Sequence, residues 1–214
     1  SEIDISAEES QYICNAVNEY LRFDVSPEQA VASYAGVRPL YEDKAASNST
    51  VTRDYQFELD ERGPKLLSIF GGKLTTYRKL AEHALDKLQI GGTSWTAASA
   101  LPGGDIEPER FDAFVAEQQE VYPWLAPATA VRLARAYGTR MKDLLGDAQG
   151  TNDLGPLLGG DLYERELRYL VANEFARSAE DVLKRRSKLY LHLTGEEQAR
   201  VADWFARADQ KPGS

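Results

Sequence analysis

Read along its length, the sequence calls for an α+β segment over residues 1–95, ordered as helix, antiparallel strands and helix, and then an all-α helical C-terminal domain over residues 105–208. Three observations carry this reading. A helix-start signature near the N-terminus precedes apolar residues at helical spacing; a strictly alternating run from Val51 stands beside a short apolar run at Leu66; and every ordering signal beyond Gly104 is helical.

Ser6-Ala7-Glu8-Glu9 has the form of a capping box, and Ile13, Val17, Tyr20 and Leu21 follow it with helical spacing, so the first helix is expected to run to about Phe23. Ser26-Pro27-Glu28-Gln29 starts another turn, but Gly36 and Pro39 forbid a long helix, and a short strand into Arg38 is expected instead. Residues 41–50, rich in Ser, Asn and Ala, read as a loop. From Val51 the chain alternates, with Val51, Arg53, Tyr55, Phe57 and Leu59 on one face. Glu61-Arg62-Gly63-Pro64 turns it, and Leu66 to Phe70 has the composition of a buried partner strand. Gly71-Gly72 ends that strand. A helix from Leu74 then places Tyr77, Leu80, Ala81, Ala84, Leu85 and Leu88 inward, and Gly91-Gly92 stops it.

Residues 93–104 are rich in Ser, Thr and Ala, close with Pro102-Gly103-Gly104, and form the best candidate boundary. Beyond them Pro108 starts a helix, Gly138 and Gly146 end two more, and Tyr163, Leu167, Leu170 and Val171 mark a longer one. Ser178 with Asp181, and Thr194 with Glu197, repeat the capping box, the second leading into Val201, Trp204 and Phe205.

The 214 residues carry 34 acidic against 25 basic side chains, a net charge of −9, and 43% hydrophobic residues, enough for a packed core. The negative balance argues against nucleic-acid binding. No apolar run reaches the roughly 18 residues of a membrane-spanning helix, and no secretory signal opens the chain. It begins at Ser1 without methionine, as if cut from something longer. The single cysteine, Cys14, suits a reducing cytosol and reads as a small buried residue of the first helix.

Chemistry concentrates in one interval. Between Glu61 and Glu82 there is no acid, while Arg62, Lys65, Lys73, Arg78 and Lys79 all fall there. At its centre, Gly71-Gly72-Lys73-Leu74-Thr75 joins a strand to a helix start, where glycines admit a close ligand, helix-terminal amides point outward and Lys73 adds charge. An anionic or electron-rich ligand fits; a tight turn with a solvated lysine is the alternative on these residues alone. Neither a P-loop nor a dinucleotide-binding glycine fingerprint is present. Arg53, on the apolar face of its strand, needs a carboxylate or phosphate partner, and Arg38 can converge with it as a phosphate clamp; pairing with Asp54 or Glu42 is the alternative.

The remaining candidates read as structural. His83 and His192 have no second ligand at metal spacing, so no metal site is expected. Trp95, Trp124 and Trp204 are core or interface residues. Lys184-Arg185-Arg186-Ser187-Lys188 reads as a salt-bridged or solvated helix face, with contact to anionic lipid or a partner as the alternative.

Taken together, Ser33-Tyr34-Ala35-Gly36-Val37-Arg38-Pro39-Leu40, Val51-Thr52-Arg53-Asp54-Tyr55 and the stretch from Phe70 to Glu82 resemble the C-terminal half of the FAD-dependent, quinone-linked glycerol-3-phosphate dehydrogenases. The resemblance continues through Leu101-Pro102-Gly103-Gly104, Tyr137-Gly138, Asp153-Leu154-Gly155, the run from Glu166 to Leu170 and Lys184-Arg185-Arg186. It implies that residues 1–95 close an FAD- and substrate-binding core and that residues 105–208 form a helical C-terminal domain. It also implies that Arg38 and Arg53 hold the substrate phosphate, that Lys73 is a catalytic residue beside the flavin, and that Gly71, Gly72, Leu74 and Thr75 meet the cofactor through their backbone.

The implied reaction oxidises sn-glycerol 3-phosphate to dihydroxyacetone phosphate, with a base taking the hydroxyl proton and hydride passing to the flavin. Partners implied are glycerol 3-phosphate and a quinone or other acceptor. The implied location is cytoplasmic, with peripheral attachment to the inner face of the cytoplasmic membrane and homodimerisation left open. A glycerophosphate oxidase, another FAD oxidoreductase of the superfamily, or a helical docking module are the alternatives. Because the fingerprint and the expected base are absent from these residues, the isolated chain is expected neither to hold FAD tightly nor to turn over substrate.

Overall fold

The computed structural model describes residues 4–36 and 54–209. Its contacts divide the chain into two units, Ser1–Ser99 and Ala100–Ser214. Among the described residues it is mostly helical, with two small antiparallel sheets.

In the first unit, α1 (Ala7–Asn18) starts at the expected capping box: the Glu9 amide donates to Ser6 Oγ at 3.2 Å and the Ser6 amide to Glu9 Oε2 at 2.9 Å. The helix stops five residues short of Phe23. The cause is Asn18, whose side chain accepts from the Val25 amide at 2.9 Å and donates to the Val25 carbonyl at 3.0 Å, reversing the chain. Cys14 is half-buried rather than buried. Pro27–Gln29 forms one 3₁₀ turn. Ala30 to Gly36 forms no strand, having no pairing partner among the described residues; Val37, Arg38 and the loop of residues 41–50 lie outside them.

The hairpin is as expected in kind: β1 (Gln56–Asp60) and β2 (Leu66–Phe70) pair antiparallel from Gln56 opposite Phe70 to Asp60 opposite Leu66. Arg62 caps the connection by donating to both Asp60 oxygens. Val51 to Arg53, the start of the alternating run, lie outside the described residues. The expected burial of β2 is corrected: Leu66 (62% exposed) on one face and Ile69 (44%) on the other are both open, because among the described residues neither face of this two-stranded sheet is fully covered. A 3₁₀ turn (Leu74–Thr76) leads into α2 (Tyr77–Leu88), so the α-helix begins three residues later than the pattern suggests. Leu80, Ala84 and Leu88 are half-buried, whereas Tyr77, Ala81 and Leu85 are exposed. The left-handed residue that ends α2 is Gln89 (φ 59°), not a glycine; its amide side chain holds Lys65, and Ile90 returns a hydrogen bond to the Leu85 carbonyl. Trp95 is 71% exposed, which excludes the core role within this unit.

The second unit holds every buried hydrophobic side chain among the described residues. Helices α3 (Phe111–Val121), α4 (Pro127–Tyr137) and α5 (Met141–Leu145) follow, the last two ending at Gly138 and Gly146 as their sequence signals require. Beside the helices stands a hairpin that the pattern did not signal, β3 (Leu157–Gly159) with β4 (Leu162–Tyr163), turning at Gly160 (φ 56°). Then come α6 (Glu164–Asn173), a π-helical turn (Asp181–Arg186) and α7 (Gly195–Asp209). Both later capping boxes form, Ser178 with Asp181 and Thr194 with Glu197. Met141, Leu145, Leu162, Leu167, Leu170, Val182 and Val201 fill the core, and Trp124 and Trp204 pack against it.

The contrast has a measurable consequence. None of the described residues of the first unit is buried, so its backbone hydrogen bonds open by local fluctuation, while those of the second unit open only with its core. By hydrogen exchange read by mass spectrometry, amides of α1, β1 and α2 are expected to exchange at least about a hundredfold faster than the most protected amides of α5 and α6. Equal protection of the two units would contradict this.

Candidate functional site

The glycine–lysine turn lies at the C-terminal end of β2. Gly71 (φ 71°) and Gly72 (φ 95°) both take positive φ, where side chains are strained. A Cβ on Gly72 would lie 3.2 Å from Leu80 Cδ1 and 3.3 Å from Tyr55 Cβ, so glycine is what lets α2 and the start of β1 approach the turn. Lys73 is extended and exposed (φ −95°, ψ 146°), and its carbonyl accepts from both the Thr76 amide (3.0 Å) and Thr76 Oγ1 (2.9 Å). The Tyr77 amide is spent on the Leu74 carbonyl, which leaves the Leu74 and Thr75 amides as those without an intrahelical partner. Leu74 is 88% exposed. Residues 72–75 are thus exposed, with one cation and two amides that have no intrahelical partner.

The cations of the acid-free interval divide in two. Arg62 is tied to Asp60 at 2.7 Å, Lys65 to Glu61 at 3.6 Å, and Arg78 to Glu82 at 3.0 Å and Thr96 Oγ1 at 3.1 Å. Hydrogen bonds from Ser94 and Thr96, with the Arg78 charge beside them, hold the Glu82 carboxyl below the usual carboxylate range. Arg78 thus fastens α2 to the segment after it. Lys73 and Lys79 have no ion pair among the described residues. His83 is fixed by Tyr55, whose hydroxyl lies 2.6 Å from Nδ1. Arg38 and Arg53 lie outside the described residues.

In the second unit the structure builds a polar centre that sequence reasoning missed. Arg132 on α4 donates from Nε to Asp161 Oδ2 at 2.8 Å and from both terminal nitrogens to the Glu166 carboxylate on α6, each at 2.8 Å. The Tyr137 hydroxyl donates to Glu166 Oε1 at 2.7 Å. Glu166 is 3% exposed. Burial opposes the Arg132 charge, but the hydrogen bonds and charges of Glu166 and Asp161 outweigh it and push its pKa up; burial first, then Glu166, pushes the Tyr137 phenol up. With its donors used, the cluster ties α4 to α6 and is not a reactive site. The available signal was Glu166 itself, a carboxylate in the stripe of Tyr163, Leu167 and Leu170, where it needs a buried partner.

The basic run after Glu180 is mostly paired, Lys184 with Glu180 at 3.7 Å and Arg185 with Asp181 at 2.8 Å. Among the described residues no cluster of three or more His, Cys, Asp or Glu is arranged to hold a metal ion. Nor is any helix there long and apolar enough to cross a membrane.

Comparison with known proteins adds to this geometry. Residues 94–208 match a family model described as the C-terminal domain of alpha-glycerophosphate oxidase. The chain is 44% identical over 214 residues to D-erythritol 1-phosphate dehydrogenase of Brucella abortus, covering 96% of this chain and 42% of that protein. It is equally 44% identical over 215 residues to the aerobic glycerol-3-phosphate dehydrogenase of Escherichia coli, covering 98% and 43%. The mitochondrial glycerol-3-phosphate dehydrogenase of Rattus norvegicus is 31% identical over 210 residues, covering 91% and 28%. The chain thus spans less than half the length of these relatives.

Proposed function

The chain belongs to the family of the C-terminal domain of alpha-glycerophosphate oxidase, and on that footing we propose that it is the C-terminal part of an FAD-dependent dehydrogenase that oxidises sn-glycerol 3-phosphate to dihydroxyacetone phosphate. In this reading the first unit closes the FAD- and substrate-binding core and the second is the helical C-terminal domain. The observation that carries the proposal is Lys73, exposed and without an ion pair among the described residues, leaving a turn whose two glycines have positive φ.

The turn fits the cofactor on its own geometry. Gly71 and Gly72 supply the positive φ that the turn requires, and the Leu74 and Thr75 amides, without an intrahelical partner, are available to donate. FAD, when bound, supplies the two-electron acceptor. Gly71, Gly72, Leu74 and Thr75 would hold it by backbone contact. Lys73 would place a positive charge near the substrate oxygen on which negative charge develops, lowering the barrier electrostatically. Arg38 and Arg53 orient the substrate by its phosphate, since two guanidinium forks suit a phosphate dianion. A quinone acceptor, peripheral attachment at the inner face of the cytoplasmic membrane and homodimerisation belong to the same reading.

A second substrate is favoured by a specific observation, the equal identity to an erythritol-phosphate dehydrogenase. Both names describe a polyol phosphate, so the clamp and the lysine serve either.

The test exchanges this chain for the matching stretch of the Escherichia coli aerobic dehydrogenase and follows dye reduction with glycerol 3-phosphate and erythritol 1-phosphate in parallel. The chimera is expected to turn over. K73A in it should lose about a hundredfold or more in kcat, the scale of one removed electrostatic stabiliser, while FAD absorbance is retained. A folded, FAD-loaded chimera with no turnover on either substrate would overturn the proposal. The chain alone, with FAD added, should reduce no dye.

A further inference from the structure

In the second unit an open cleft of about 470 Å³ lies between α4 and the end of the π-helical turn, lined by Ala128, Val131, Arg132, Arg135, Tyr137 and Arg186 among others. That volume is in the range of small-molecule pockets, about 300–1,000 Å³. We propose that this cleft is a binding site for a phosphoryl group, gripped by Arg135 and Arg186.

The charge of its wall supports this. Arg132 and Glu166 both line the cleft, but they neutralise each other, and Glu166 at 3% exposure presents almost no surface. Every nitrogen of Arg132 already donates to Glu166 or Asp161, so this side chain is wall and not ligand. Arg135 stands three residues further along the same helix face, exposed and without an ion pair among the described residues. Arg186 is oriented by its Nε, which donates to the Glu174 carbonyl at 2.8 Å, and its terminal nitrogens have no acceptor among the described residues. The structure thus splits the basic run that the sequence presents as one face. Glu180 and Asp181 take Lys184 and Arg185, while Arg186 is left to the cleft.

Two guanidinium forks with no competing exposed acid in the lining select an anion, and a tetrahedral phosphoryl group can accept from both where a single carboxylate satisfies one. Ala128 and Val131 add an apolar wall, which suits an organic ester better than the bare ion. The phosphoryl group can come from a soluble monoester or from a lipid headgroup. This site stands apart from the glycine–lysine turn and does not depend on the redox reading.

The experiment uses the whole chain, with the Val131 methyl signals and the arginine Nε–H signals followed by NMR at constant ionic strength. The probes are phenyl phosphate, inorganic phosphate, and phosphatidylglycerol vesicles in a phosphatidylcholine background. Phenyl phosphate is expected to shift Val131 and Arg186 saturably and more tightly than inorganic phosphate. The R135A/R186A variant should bind about tenfold or more weakly, the scale of lost charge-assisted hydrogen bonds, while K184A/R185A stays within about twofold. Near-ultraviolet circular dichroism of Trp124 and Trp204 checks that each variant is folded. Vesicle binding that phenyl phosphate competes away identifies a headgroup as the source; binding of the soluble ester without vesicle binding identifies a soluble ligand. No saturable shift with any probe overturns the proposal, as does equal weakening in the two variants, which would mean diffuse surface charge.

Discussion

Replacing Gly138 with alanine is expected to destabilise the second unit by about 3 kcal/mol or more, from a strained positive-φ residue and an overpacked contact acting together. Gly138 takes φ 54° and ψ −135°, a region in which an L side chain is strained. A Cβ there would lie 1.8 Å from the Gly103 carbonyl oxygen and 2.8 Å from its carbon. The obstacle is backbone, so no rotamer change relieves it. Gly103 answers from the other side, since its own Cβ would meet the Tyr137 carbonyl oxygen at 2.5 Å. The two glycines allow Leu101-Pro102-Gly103-Gly104 to lie against the end of α4, where the Thr139 amide donates to the Gly103 carbonyl at 3.2 Å and Thr139 Oγ1 donates to Asp105. G138A must break this seam or bend α4. Urea unfolding followed by tryptophan fluorescence measures the loss, and exchange of amides 101–105 shows whether the seam opens first. G150A is the control: a Cβ there meets nothing within 4 Å, so its midpoint should stay near that of the parent. An unchanged midpoint for G138A would mean that the seam contributes nothing to stability.

Part of this seam was legible in the sequence. Gly138 stands where the periodicity of α4 ends, and a glycine there reads as a helix stop. Its meeting with Gly103 was not legible, because nothing local marks a contact between residues 35 positions apart. The same distinction runs through the fold. Capping boxes at Ser6, Ser178 and Thr194 were readable because both partners sit within four residues and their chemistry is reciprocal. The end of α1 was not, because the deciding bonds run from Asn18 to Val25. The β3–β4 hairpin escaped because strands of three and two residues carry no alternation, and only Gly159-Gly160-Asp161 between Leu157-Leu158 and Leu162-Tyr163 hinted at it. The exposure of β2 escaped for another reason. An apolar run states what a segment would bury, and among the described residues of its unit no second layer buries it.

For the candidate site, the local part was readable. Strand, paired glycines, lysine and helix start are adjacent in the chain, and the structure places them as one turn with Lys73 exposed. That Arg62, Lys65 and Arg78 are structural depends on the geometry of Asp60, Glu61 and Glu82, which the charge pattern alone does not fix. The cleft at Arg135 and Arg186 joins α4 to a turn some fifty residues later, and only folding brings them together.

The Arg132–Glu166 centre supplies the other large effect. E166A should destabilise the second unit by about 3–5 kcal/mol, the cost of leaving one member of a buried ion pair without its partner. That is a large share of a typical domain stability of about 5–15 kcal/mol. Arg132 would keep Asp161, whose side chain is 30% exposed, but two of its donors and the Tyr137 hydroxyl would lose their acceptor. Removing both charges is a different matter. R132M/E166M takes away the desolvation cost together with the attraction and fills the same space, so it should recover most of the loss; Asp161, being partly exposed, is then hydrated. A double variant as unstable as E166A would show that lost packing, not the stranded charge, sets the cost. The pH dependence gives an independent reading. The folded-state pKa of Tyr137 is raised, so its neutral phenol contributes stability that is full below the unfolded value of about 10 and is lost as pH rises beyond it. Y137F removes that titration. The parent should therefore lose stability between about pH 10 and 11 more steeply than Y137F, which at neutral pH loses about 1.5–3 kcal/mol with the missing hydrogen bond to the Glu166 carboxylate. Parallel alkaline profiles for the two proteins would place the titrating group elsewhere.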